Sequence, residues 1–340
     1  RAEAAPIPDP RELSTAEGRT LLESLTTFGT PLPHLVLTGG DPLKRADLFD
    51  LVEHARGLGF GVSVAPSATP LLTADAIRSL KRHGVDAISL SLDGATAATH
   101  DAIRGIGGTF ERTMEAAKVA RSVDLAFQVN TLVCEETVAE LPTIHEHVVA
   151  MGASRWSLFF LVTVGRGSVL SPISGERAEE VLRWITALSA KRRGPPGPGA
   201  PVITTTEAPQ VRRVAAEAQR GQPRPAEGEG STGGNGHGHG SKPQHGAGIR
   251  DGNGILFISN VGDICPSGFL EQPCGNVRVD DIVAVYREAP LFRQLRDPEG
   301  FGGRCGRCEY KFACGGSRAR AWSATGDPLS EDPLCTHEPA

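Results

Sequence analysis

The chain has 340 residues and a mass of 35.8 kDa, which implies about two domains. With 39% hydrophobic and 22% charged residues it can bury a sizeable core, which excludes wholesale disorder. Forty acidic against 35 basic residues give a net charge of −5, which argues against nucleic acid as the main partner. No apolar run reaches membrane-spanning length, so no membrane association is expected. The opening residues carry no signal-peptide pattern, and the expected compartment is the reducing cytoplasm.

In chain order, the first half repeats a strand-then-helix rhythm. Residues 34–38 form a short apolar run ending in Gly39-Gly40-Asp41-Pro42, and residues 45–58 follow with Leu48, Leu51, Val52 and Ala55 at helical spacing. Further strands are expected at 61–65, 87–92, 126–133 and 155–161. Helices are expected at 73–83, 110–123, 138–151 and 176–191. Such alternation calls for an α/β fold with a parallel sheet, either doubly wound or a partial barrel. The apolar runs read as strands covered on both faces.

From Gly194 the composition changes. Residues 194–250 read as a linker carrying a Gly/His-rich insertion at 219–246, whose His237, His239 and His245 suit weak metal capture or simply a solvated tract. Residues 251–340 form a second, cysteine-rich unit that opens with a hairpin around Asn260-Val261-Gly262. Its core is too thin to fold by burial alone, so a metal staple is expected.

The seven cysteines, at 134, 265, 274, 305, 308, 314 and 335, are odd in number and clustered, which favours metal ligation over disulfides. Cys305-Gly306-Arg307-Cys308 turns two thiolates to one side, and Cys314 and Cys335 complete an S4 set for Zn(II) or an iron–sulfur cluster. Arg304, Arg307, Arg318 and Arg320 would offset its charge. Cys134 reads as a core thiol, and Cys265 with Cys274 are too few for a second set. Two further constellations lie at strand ends, Gly39-Gly40-Asp41 and Ser91-Leu92-Asp93-Gly94 with Arg104 downstream. Asn130, inside an otherwise apolar strand, needs partners or a ligand.

Taken in order, these motifs resemble the radical SAM superfamily, and in particular its members with a C-terminal SPASM or twitch auxiliary-cluster domain. The resemblance implies a partial (β/α)6 TIM-like barrel lacking its first strand. It implies that Gly39, Gly40 and Asp41 hold the methionyl amino group of S-adenosylmethionine. Ser91, Asp93 and Arg104 would then approach its carboxylate and ribose, Asn130 the ribose, and Leu161 the adenine. The run from Cys308-Glu309-Tyr310 through Cys314-Gly315-Gly316-Ser317-Arg318 to Gly326-Asp327-Pro328-Leu329 and Cys335 is similar to the tetrapyrrole-modifying branch of heme and heme d1 synthesis.

Two departures from the family stand out. The defining CxxxCxxC loop is absent, and Arg1-Ala2-Glu3-Ala4 looks like the residues that follow its third cysteine. The expectation is a chain truncated at its N-terminus, with a second [4Fe-4S] cluster belonging to the missing loop. In addition, Arg318 stands four residues after Cys314, where such domains often have a cysteine. The resemblance therefore implies one auxiliary [4Fe-4S] cluster on Cys305, Cys308, Cys314 and Cys335. It further implies a tetrapyrrole or, as the alternative, a peptide substrate, and a reductant such as flavodoxin or ferredoxin. Glu207 and Arg166 are the acid/base candidates. From another class, the same residues are compatible with a zinc-stapled scaffold on a degenerate barrel.

Overall fold

A computed structural model describes residues 9–191, 200–220 and 249–339. Arg1-Ala2-Glu3-Ala4, the run 194–199 and His237, His239 and His245 lie outside the described residues, as does the Arg166 side chain.

The chain begins with α1 (Thr15–Leu25), whose Ser14 and Glu17 form a reciprocal capping box. Then come β1 (Leu35–Leu37), α2 (Leu48–Gly57), β2 (Val62–Val64), α3 (Ala74–Arg82), β3 (Ala87–Ser91), α4 (Ala97–Arg104) and α5 (Thr109–Ser122). After these follow β4 (Ala126–Val133), α6 (Leu141–Met151), β5 (Arg155–Phe160), α7 (Gly175–Lys191), β6 (Val202–Thr206) and α8 (Val211–Arg220). The six strands pair in chain order, and every neighbouring pair is parallel. All six strands therefore end on one side, and the loops that follow them share a single rim.

Strand side chains divide sharply between the two faces. Val62, Val64, Ile88, Val129, Trp156 and Leu158 are fully buried and belong to the main core with helix residues such as Val52, Ile77, Ala120, Ile144 and Ile185. Many of the alternating positions are polar, although Val36, Leu132 and Phe159 are not. Ser91, Asn130, Ser157 and Thr204 lie opposite one another across four strands, and Ser63, Gln128 and Asn130 are only partly buried. This corrects the expectation of strands apolar on both faces. Apart from β4 and β5 the paired strands are five residues or shorter, too short for a period-2 pattern to declare itself in a run of Leu, Val and Ala.

A second correction concerns the expected linker. Residues 200–220 carry β6, which pairs with Arg155–Phe159 of β5, and α8, which packs on α7. The clasp between these helices is ionic. The Arg213 side chain, 4% exposed, reaches Glu179 at 2.5 Å and Glu217 at 2.9 Å.

The C-terminal part contains β7 (Phe257–Ile258), β8 (Asp263–Cys265) and β9 (Gly275–Asn276), an antiparallel sheet that includes the expected hairpin. It continues through α9 (Ile282–Glu288), α10 (Pro290–Arg296), α11 (Gly303–Arg307) and α12 (Arg318–Thr325). Its apolar residues Ile264, Ile282, Phe292 and Leu334 join the main core, and only Leu270, Leu295 and Ala319 gather with Val162 of the barrel into a separate cluster. The unit is thus held by what it docks against. No helix among the described residues is long and apolar enough to cross a membrane.

Replacing Glu179 by Gln leaves Arg213 short of one carboxylate and should cost about 2 kcal/mol, less than loss of a sole buried partner because Glu217 remains. Urea unfolding of Glu179→Gln would show it, and an unchanged midpoint would mean that the clasp contributes nothing.

Candidate metal centre and cofactor cleft

Cys305, Cys308, Cys314 and Cys335 line one cavity, together with Gly315, Gly316, Asp332 and His337 and with the cations Arg213, Arg304 and Lys311. Two of the sulfurs accept a backbone N–H. Tyr310 donates to Cys308 and Asp332 to Cys305, both at 3.4 Å. The amides of Gly316 and His337 oppose the effect of burial on the Cys314 and Cys335 thiols. The Tyr310 amide lies two residues after Cys308, so a short turn brings amide and sulfur together. Gly315 and Gly316 make such a turn with φ of 70° and 66°, a region that favours glycine. A Cβ on Gly316 would stand 3.0 Å from the Cys305 sulfur and 2.5 Å from the Arg318 guanidinium.

Burial pushes the Cys314 thiol up to about 12 and also raises Cys308 and Cys335. Thiolates in this nest therefore need a cation, which is what a soft metal supplies. Tetrahedral zinc with Zn–S bonds of ~2.3 Å requires sulfurs about 3.8 Å apart. Among the described residues no three of the four sulfurs lie within 4.8 Å of one another; the one group that close is Cys308, Glu309 and His337. Four cysteine thiolates are a donor set that fits an iron–sulfur cluster.

The nest is bolted to the rim of the sheet by a buried ion pair. Arg320 meets Asp332, whose side chain is fully buried, at 3.0 Å. Its other nitrogens donate to the carbonyls of Glu207 (2.6 Å) and Leu161 (3.4 Å), at the ends of β6 and β5. Asp332 also accepts from the Ser317 amide (2.7 Å), the Leu334 amide (3.0 Å) and Gln210 (2.6 Å). Beside it, Glu207 has φ of 60°, unusual for a residue with a Cβ. Its carboxyl bonds the Ser317 hydroxyl, and burial, then the neighbouring Asp251, raise its pKa well above the ordinary carboxylate range.

The other candidate residues lie at the same rim. Asp41 Oδ1 accepts from the amides of Leu43 (3.2 Å) and Ser67 (3.4 Å), and Oδ2 from the Thr69 hydroxyl (2.6 Å). Ser67 also donates to the Gly40 carbonyl at 2.6 Å, so Gly39-Gly40-Asp41 is braced by the loop after β2. An ionised carboxylate offers about four acceptor sites, which leaves one on Oδ2 for a further donor. Asp93 Oδ1 takes the Leu132 amide of β4 at 2.7 Å, and its Oδ2 pairs with Arg104 at 3.2 Å. Ser91 and Asn130 face each other in register, and the Asn130 oxygen accepts from Gln128 at 2.8 Å. Leu161 is buried beneath Arg320.

Sequence reasoning took Arg320 for a general counter-charge and missed Asp332 altogether. A partner twelve residues away across a loop follows no period.

Glu207 protonates more readily folded than unfolded. Its contribution is therefore complete at pH below the unfolded carboxylate pKa and is lost as pH rises through the raised folded pKa. Stability should fall on that alkaline side in the parent and flatten in Glu207→Gln. Identical pH–stability curves from thermal melts would contradict the assignment.

The Radical SAM superfamily model matches residues 3–148. The chain is 34% identical over 347 residues to an AdoMet-dependent heme synthase of Oleidesulfovibrio alaskensis, spanning 100% of this chain and 83% of that protein. It is 36% identical to an AdoMet-dependent heme synthase of Methanosarcina barkeri, over 96% of this chain and 88% of the relative. Among solved structures, Streptococcus suis SuiB bound to S-adenosylmethionine superposes with a TM-score of 0.71 at 14% identity, over 98% of this chain and 72% of that one, a likeness of fold. On this sheet and these relatives, the chain belongs to the radical SAM superfamily, whose enzymes use [4Fe-4S] clusters and S-adenosylmethionine.

Proposed function

We propose that this radical SAM chain acts on a tetrapyrrole and holds an auxiliary [4Fe-4S] cluster on Cys305, Cys308, Cys314 and Cys335. The observation that carries the substrate is identity of 34–36% along nearly the whole chain to heme synthases. The cluster assignment is supported by four cysteine sulfurs lining one cavity, with backbone amides donating to Cys305 and Cys308. Such a cluster supplies one-electron redox chemistry at a potential set by its surroundings.

The chain's own residues position and shield. Asp41 keeps one acceptor site for the ammonium of S-adenosylmethionine while its other three hold the Gly39-Gly40 loop still. Asp93 and Arg104, locked to each other and to β4, present a fixed charge pair near the cofactor carboxylate, and Ser91 and Asn130 form a polar floor for the ribose. Leu161 offers the adenine an apolar contact. The Arg320–Asp332 pair seats the cysteine nest on the strand ends, where the four cysteines would hold a cluster that supplies one-electron chemistry. Flavodoxin or ferredoxin is the reductant we assign, and residues 251–340 form the SPASM-like unit that carries the nest.

A peptide substrate is the second reading, favoured by the likeness to SuiB, which is also solved with its precursor peptide at a TM-score of 0.66.

Anaerobic reconstitution should give about four iron and four sulfide per auxiliary site. Cys314→Ser should lose most of that iron and Cys134→Ser none. Zinc uptake without sulfide, or equal iron in both variants, contradicts the ligand set.

An iron porphyrin bearing propionates should bind with a saturating shift of its visible absorption, in the ~1 μM to 1 mM range of enzyme substrates. A flat titration, with saturable binding of a ribosomal peptide instead, would replace the tetrapyrrole by the peptide.

A further inference from the structure

The surroundings of Arg318 are unusual for a guanidinium. It is fully buried. Its Nη1 donates to the carbonyls of Ser330 (2.7 Å) and Pro328 (3.1 Å), its Nε to that of Gly316 (3.4 Å), and its Nη2 to the Cys305 sulfur at 3.5 Å. The guanidinium carbon lies 4.5 Å from the centre of the Phe301 ring. Neutral carbonyls satisfy its hydrogens without cancelling its charge, and a buried charge without a counter-charge costs several kcal/mol. The anion that answers it is the thiolate nest.

Arg250 reinforces the pattern from the other side of the glycine turn. It is 8% exposed, its guanidinium lies 5.7 Å from the same Phe301 ring, and it packs against Gly315. Its Nε and Nη1 find no hydrogen-bond partner among the described residues. Two buried cations thus flank one side of the nest.

We infer that Arg318 is a positioning residue that raises the reduction potential of the centre on the four cysteines, through its hydrogen bond to Cys305 and its uncompensated charge, with Arg250 acting in the same direction at longer range. The inference rests on the cluster reading above. Reduction adds negative charge to the nest, and a fixed cation in a low-dielectric setting stabilises the reduced form more than the oxidised one. A donor to a ligand sulfur does the same by drawing charge off it.

The test is an electron paramagnetic resonance redox titration of the iron-loaded parent, Arg318→Gln, Arg318→Lys and Arg250→Gln. Iron content is measured on each, with resonance Raman of the Fe–S(Cys) bands. Arg318→Gln should shift the one-electron equilibrium against reduction by at least tenfold, a fall of 59 mV, and move the Fe–S(Cys) bands. Arg318→Lys should recover part of the shift, which a mere packing role would not produce. Should Arg318→Gln fail to hold iron, Arg250→Gln decides through a smaller fall of the same sign. Iron-loaded variants with the parent potential overturn the inference alone, whereas a parent that takes up zinc and no iron overturns the cluster reading and the inference with it.

Discussion

The buried pair between Arg320 and Asp332 is the joint on which this molecule turns. Taking two charges out of water is costly, and the pair is tolerable only because every oxygen and most donors are engaged. Those extra bonds are what tie the structure together. One end reaches the carbonyls that close β5 and β6, and the other holds the amides of Ser317 and Leu334. Ser317 follows Cys314 by three residues, Leu334 precedes Cys335 directly, and the Asp332 amide itself donates to Cys305. Three of the four cysteines are therefore placed by one aspartate, and the same aspartate sets their distance from the strand ends.

The sheet and the nest then divide the work. One sheet face is given wholly to the core; the other carries the Ser91, Asn130, Ser157 and Thr204 row towards the rim. At that rim Asp41 braces the loop after β1 against the loop after β2, and Asp93, after β3, accepts the Leu132 amide of β4. Rigid loops over a polar floor suit a cofactor whose reacting bond must be held still. The cysteine nest is tied to the ends of β5 and β6, at the far side of the strand order from the Gly39-Gly40-Asp41 loop after β1.

Much of this was legible in the residues, and the exceptions share a cause. The first five strands and five of the twelve helices among the described residues, α2, α3, α5, α6 and α7, follow from local periodicity, and the cysteine set from local spacing. β6 escaped because Val202-Ile203-Thr204-Thr205-Thr206 holds only two strongly apolar residues and follows a Pro/Gly run; its strand character comes from pairing with β5. α8 was hidden because Arg212, Arg213 and Glu217 make it read as linker, although Arg213 is buried by its partners. The polar sheet face was hidden by strand length, and Asp332 by its distance in sequence from Arg320. Contacts made in three dimensions, between residues ordinary in one, are what the chain alone does not display.

The central claim is that the four cysteines hold an iron–sulfur cluster rather than a zinc ion. X-ray absorption of the anaerobically metal-loaded chain at the iron and zinc edges tests it most directly. The account predicts an iron edge with sulfur neighbours and a second shell of iron–iron scattering, diminished when Asp332 is replaced by Asn. A zinc edge with a single shell of sulfurs at ~2.3 Å and no iron would contradict it.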